Sequence, residues 1–228
     1  MLPIAKQEFW QLTKNIKSIV MVIVLLAASY YFSKNGRVFA EFLGYGSDTD
    51  AALYATGLII IVLFLGPLFV MALSHDVINR EVSNRTIRFL LTRTSSNRII
   101  WGKFIGTVAF WVTCIALAVI IIGITSHTFS GVILASVLCL LIIEIAFAVV
   151  LSIVIPKPRM TMFLGIVFGI MLPILSSVVE YTDKWWGNFR YISPMHYIQE
   201  ENWQMIILPI AAIFLIVAAT QVFKRGEY

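Results

Sequence analysis

The stretch Ile99 to Ile155, IIWGKFIGTVAFWVTCIALAVIIIGITSHTFSGVILASVLCLLIIEIAFAVVLSIVI, decides the fold. Around the short Ser126 to Phe129 turn it holds two apolar runs, each longer than the about 20 residues a helix needs to cross a hydrocarbon core of about 30 Å. Only helices and closed barrels satisfy every backbone polar group at that depth, and runs without strand-like alternation read as helices.

Working outward, the same pattern gives six spans: Ser18 to Phe32, Ala51 to Ser74, Ile99 to Thr125, Ser130 to Ile155, Thr161 to Tyr181 and Met205 to Phe223. The first is short and can borrow from the segment before it. Composition agrees: 60% of the 228 residues are hydrophobic and 13% charged, against about 25% charge in soluble domains, and the mean hydropathy is +0.91. The stretches left over, Met1 to Lys17, Ser33 to Asp50, His75 to Arg98 and Thr182 to Gln204, are all shorter than the ~50 residues of an independent soluble domain. That leaves no room for a nucleotide-hydrolysing or other soluble catalytic domain. The expectation is an all-α membrane protein, residues 1–228 forming a single transmembrane domain. Residues 1–17 are read as an amphipathic interface helix, 75–98 as an inward-facing loop and 182–204 as an aromatic outer loop.

Thirteen Lys and Arg residues fall before the first span, between spans two and three through Lys103, at Lys157 and Arg159, and at Lys224 and Arg225; only Lys34, Arg37, Lys184 and Arg190 fall on the other side. Under the positive-inside rule both termini are cytoplasmic. The net charge of +5 thus records topology. A nucleic-acid partner would need the basic residues gathered with stacking aromatics on a soluble face, and none is expected. Cys114 and Cys139 sit inside spans and read as free, apolar-like thiols. Asn84-Arg85-Thr86 matches a glycosylation sequon on the wrong side of the membrane.

From Leu2 to Ser18, Ile4, Ala5, Phe9, Leu12 and Ile16 recur on one helical stripe, with Lys6, Gln7, Gln11, Lys14 and Lys17 mostly elsewhere. Pro3 suits a first turn. Such a helix lies in the headgroup plane, contacting lipid or a partner.

The loop SHDVINREVSNRTIRFLLTRTSSNR (Ser74 to Arg98) pairs Asp76 with Arg80 and Glu81 with Arg85, each four apart with the acid first, an order that supports an exposed helix. Ile87, Phe89, Leu90 and Leu91 form an apolar patch too short to span anything, and Ser95, Ser96 and Asn97 are good N-caps for the next helix. The run from Glu81 to Lys103 resembles the signature of type-2 ATP-binding-cassette (ABC) permeases: an acid, a Gly-Thr pair, paired leucines, a Pro-Ser-Arg-like stretch, then a small residue and Lys opening the third span. Two positions depart from it, Arg85 standing for the usual glycine and Thr94 for the usual proline.

The resemblance covers essentially the whole chain and implies a type-2 ABC exporter fold, with a coupling helix that sits in a cleft of a separate ATPase. It implies that Glu81, Arg85, Thr86, Ile87, Phe89, Leu90 and Leu91 contact the ATPase and that Lys6, Glu8 and Lys14 belong to the interface helix. It also implies two ABC ATPase subunits and a second permease subunit, identical or similar, as partners. Membrane lipid surrounds the chain; ATP and Mg belong to the partner, and this chain binds no cofactor. The bland alternative is a solvated basic loop that only fixes topology.

Glu144 lies near the middle of the fourth span, where a charge costs about 2.5 to 3.5 kcal/mol even on lenient insertion scales, so it is expected to be neutral or to face protein. Ala148 and Ser152 follow at i+4 and i+8, suggesting a small-residue helix contact across which Glu144 bonds; lining a translocation route is the other reading. Lys103 can snorkel to the headgroups, the favoured reading, or pair with an acid such as Glu81. Pro67 and Pro173 can kink their helices. Tyr181, Trp185, Trp186, Phe189, Tyr191, Tyr197 and Trp203 collect in the last outer segment, as at a membrane interface, and the resemblance implies short re-entrant helices there. His75, His127 and His196 have no metal-ligand spacing.

No phosphate-binding GxxxxGK[ST], HExxH or GxSxG motif occurs. The expectation is a permease subunit of an exporter for amphipathic compounds (antimicrobial peptides, drugs or lipids) in a bacterial plasma membrane, driven by a partner's ATP hydrolysis. An ion-coupled secondary transporter or an intramembrane enzyme using Glu144 is the alternative.

Overall fold

The computed structural model describes residues 1–35, 62, 65–126, 131–180, 193, 196 and 203–225. Most of the second expected span, His127, and nearly all of the 182–204 loop with its expected re-entrant helices lie outside the described residues.

The chain opens with α1 (Leu2–Lys14), Pro3 in its first turn and Lys14 in its last, where a cation meets the negative end of the helix dipole. Asn15 leaves helical geometry (φ −75°, ψ 126°), and its side-chain oxygen accepts the Lys17 N–H at 3.1 Å, so one residue ends α1 and caps α2 (Ile16–Lys34). The two helices meet at a bend of 72°. Then follow α3 (Gly66–Ser74), α4 (Asn79–Ser83), α5 (Ile87–Arg93), α6 (Ser96–Ser126), α7 (Gly131–Val154) and α8 (Pro158–Glu180), and a 3-10 turn at Trp203–Ile206 that runs into α9 (Ile207–Arg225).

Four helices among the described residues are long and apolar enough to cross a membrane: Ser96–Ile124, Leu134–Val154, Pro158–Ser176 and Gln204–Lys224, with mean hydropathies of 2.6, 3.0, 1.8 and 2.5. The bent pair α1–α2 passes as a fifth. This is the borrowing that the short first run suggested. α6 starts directly after Ser95, whose carbonyl accepts the Ile99 N–H. Pro67 opens α3 and Pro173 sits within α8.

At the centre, α7 packs against α9, α3 and α6, while α6 takes α1 and α2 on its other side and α8 lies against α3. Trp111, Ile115 and Ile122 of α6, Leu141 and Val149 of α7 and Ile216 of α9 are buried there. Lipid tails are as apolar as leucine, so close packing rather than water expulsion must hold such helices together. Two glycine pairs at i, i+4 provide it. On α8, a Cβ at Gly169 would lie 2.9 Å from Leu68 Cα and one at Gly165 would lie 3.1 Å from Met71 Cβ, so α8 meets α3 at backbone distance. On α6, a Cβ at Gly102 would come 2.9 Å from Ile4 Cβ, and one at Gly106 would come 2.5 Å from Ala5 O and 2.9 Å from Glu8 Cβ. α1 is therefore docked against the third expected span. Its lysines Lys6 and Lys14 face outward, Lys14 standing 5.8 Å from the Trp10 ring centroid.

Candidate functional site

The 75–98 segment folds as a hairpin of two short helices, α4 and α5, joined by a tight turn. Thr86 N–H donates to Glu81 O at 2.9 Å and Arg85 N–H to Val82 O at 3.0 Å, the paired bonds of a Schellman helix ending. That ending needs a left-handed residue, and Arg85 takes it with φ 58°, the one positive-φ non-glycine residue among those described. Glycine adopts this conformation freely; an L-residue pays roughly 1–2 kcal/mol through its Cβ. Arg85, which stands where the resembled signature has glycine, thus occupies a position that suits glycine.

Helical geometry splits the expected contact patch. Ile87, at 2% exposure, is anchored in the chain's own core and is not available to a partner, a correction to the expectation. Leu90 and Leu91, at i+3 and i+4 from it, are half-buried against the same core. Phe89 points the other way and is 76% exposed. Arg85, Thr86 and Arg88 are exposed beside it.

Beneath the hairpin lies a buried ion-pair cluster. Lys103 is 2% exposed, and its Nζ lies 2.8 Å from Glu8 Oε2 and 2.8 Å from Glu81 Oε1. Arg80 adds longer contacts, 4.0 Å to Glu8 and 3.8 Å to Asp76. Two sequence expectations change here. Lys103 does not snorkel; it is held between two carboxylates, the alternative reading that named Glu81. Glu81 turns to Lys103 instead of pairing with Arg85, whereas the expected Asp76–Arg80 pair forms. Glu8 lies in α1 as expected, on its buried inner face. A lone ammonium at this depth would be expensive, and the two acids offset it; Arg80 balances the second acid. The cluster ties α1, α4 and α6 into one junction.

The hairpin is fastened on its other side by neutral hydrogen bonds. Ser152 Oγ of α7 accepts both the Ile78 and Asn79 N–H groups, at 2.9 and 3.0 Å. The fully buried Asn79 amide donates to Ile155 O and to Thr161 Oγ1, each at 2.9 Å, and Thr161 in turn donates to Pro158 O. These bonds reach the end of α7 and the start of α8. Sequence reasoning missed Asn79 and Thr161 and read Ser152 only as a small packing residue. The hairpin is thus tied to α1 and α6 through ions and to α7 and α8 through hydrogen bonds.

Glu144 sits apart from this junction. It is 8% exposed and faces the first turn of α3, where a Cβ at Gly66 would be 3.2 Å from Glu144 Oε2. That oxygen has no hydrogen-bond partner among the described residues, so the expected bond across the bundle is not seen on it. Ala148 and Ser152, one and two turns on, are fully buried as a small-residue contact requires. Cys114 and Cys139 are free thiols. Among the described residues no group of three or more His, Cys, Asp or Glu could hold a metal ion.

Compared with known families, residues 2–225 match the one described as ABC-2 family transporter protein. Comparison with curated proteins finds no match.

Proposed function

Because the chain belongs to the ABC-2 transporter family and is a membrane permease of an ABC transporter, we propose that it is the gate of an ATP-driven exporter and that its α4–α5 hairpin is the coupling element on which separate ATPase subunits press. In this reading two ATPases serve a pair of permease subunits, both termini and the hairpin face the cytoplasm, and the cargo is an amphipathic compound such as an antimicrobial peptide, a drug or a lipid, expelled across a bacterial plasma membrane. ATP and Mg are held by the partner. The observation that carries the reading is the hairpin itself: an exposed aromatic tip on a short helix pair that is bolted to four other helices, which is what a part that receives force and passes it on requires.

The test is reconstitution. The purified chain, combined with a co-expressed ABC ATPase in lipid nanodiscs, should give vanadate-sensitive ATP hydrolysis. Phe89→Asp should abolish assembly while leaving the permease fold intact, because Phe89 makes no core contact; Leu90 and Leu91, packed on the core, are poorer probes. Labelling of a Thr86→Cys chain from outside intact cells, or turnover by the chain alone, would refute the reading. The ion-coupled alternative draws its support from the unpartnered Glu144 oxygen and requires transport without any ATPase.

A further inference from the structure

We propose that the hairpin docks through a single aromatic plug flanked by exposed guanidinium groups that pair with no acid among the described residues, so that the receiving pocket on the ATPase has an apolar floor and a rim of carboxylates. This rests on the hairpin's assignment as the coupling element and adds the chemistry of the surface it meets.

Three observations carry it. The first is the direction of the apolar groups. Ile87, Leu90 and Leu91 turn into the chain's own core, and Phe89 alone projects. A helix lying on lipid presents its apolar stripe outward; one projecting ring suits a pocket in a protein, where a central aromatic anchor dominates binding.

The second is uncompensated charge. From Val82 to Arg98 the chain has four arginines and no acid. Arg85, Arg88, Arg93 and Arg98 are all exposed, and the ion pairs of this end of the molecule go to Arg80 and Lys103 instead. A run of exposed like charges on the segment that carries the anchor selects a partner of opposite sign.

The third is strain. Arg85 occupies a left-handed position that glycine would take freely, and its guanidinium is bonded to nothing among the described residues. The turn's own hydrogen bonds, Thr86 N–H to Glu81 O and Arg85 N–H to Val82 O, hold that conformation, so what arginine adds over glycine at this position is an exposed charge rather than the turn itself.

The decisive experiment sets the permease's own stability against its association with the ATPase. The full chain in neutral phosphatidylcholine nanodiscs is titrated with the co-expressed ABC ATPase across about 0.1 to 0.5 M NaCl, a range over which the screening length falls about twofold. Association should weaken as salt rises. Arg85→Gly should raise the melting temperature of the isolated permease by about 2–4 °C yet weaken association about 3- to 5-fold. Arg88→Gln and Arg93→Gln should weaken it similarly without a melting shift, and Phe89→Ala about 30-fold or more.

Arg85→Gly binding as tightly as the parent while melting higher, or association indifferent to salt, would overturn the proposal. So would association that is absent in phosphatidylcholine and restored by phosphatidylglycerol, which would assign the arginines to lipid. If the parent chain binds no ATPase at any salt concentration, the coupling assignment itself fails, and that outcome is distinct because it does not depend on the arginine variants.

Discussion

Replacing Lys103 with methionine tests the junction most directly. The side chain keeps its length and loses its charge, leaving Glu8 and Glu81 facing a common point. Both carboxylates contact Nζ at 2.8 Å, so their contacting oxygens are at most 5.6 Å apart, twice that distance. Two unit charges at that separation repel by about 3 kcal/mol at an effective dielectric of 20. Loss of one partner from a buried ion pair costs about 3–5 kcal/mol by mutational precedent, and the two figures agree. For a chain of this size that is a fall in melting temperature of about 6–20 °C. Thermal unfolding of the detergent-purified chain, followed by a thiol-reactive fluorophore at the buried Cys114 and half-buried Cys139, measures it without introduced labels. The triple variant Lys103→Met, Glu8→Gln, Glu81→Gln should recover most of the loss, since no charge is left alone. A Lys103→Met chain melting within about 2 °C of the parent would refute the reasoning and return Lys103 to the headgroups.

Gly106→Val should loosen α1 from α6, because even a Cβ at that position would meet Ala5 O at 2.5 Å; overpacking of this kind costs about 1–3 kcal/mol, and limited proteolysis within residues 2–15 should speed up. Asn79→Asp should destabilise more than Asn79→Ala, since a carboxylate cannot donate to Ile155 O and Thr161 Oγ1; alanine should cost about 1–3 kcal/mol, read by the same thermal assay.

Much of this architecture is legible in the sequence because a bilayer leaves helices few choices. The runs at 99–125, 130–155 and 205–223 reappear as α6, α7 and α9 with small shifts at their ends. Helix in the 75–98 loop was legible too, though not its break into two at Arg85, and the split of the apolar patch could have been read from the helical period: 87, 90 and 91 share a face and 89 opposes it. The glycine pairs at 102/106 and 165/169 were equally visible, as small residues spaced for helix contact. Other features were not. Whether Lys103 reaches outward to headgroups or inward to acids depends on where α1 lies, and nothing local to position 103 encodes the approach of Glu8 from 95 residues away. Asn79 belongs to no period, and its partners Ser152, Ile155 and Thr161 come from a distant helix junction. Such tertiary polar bonds leave no local pattern behind.

The junction also bears on how the chain is made. Translation proceeds from the N-terminus, so Glu8 and Glu81 both exist before Lys103 leaves the ribosome. The two acids that neutralise the buried lysine are thus both synthesised ahead of it, Glu8 by 95 residues, and the ammonium can be paired with them as soon as its own helix packs against α1 and α4.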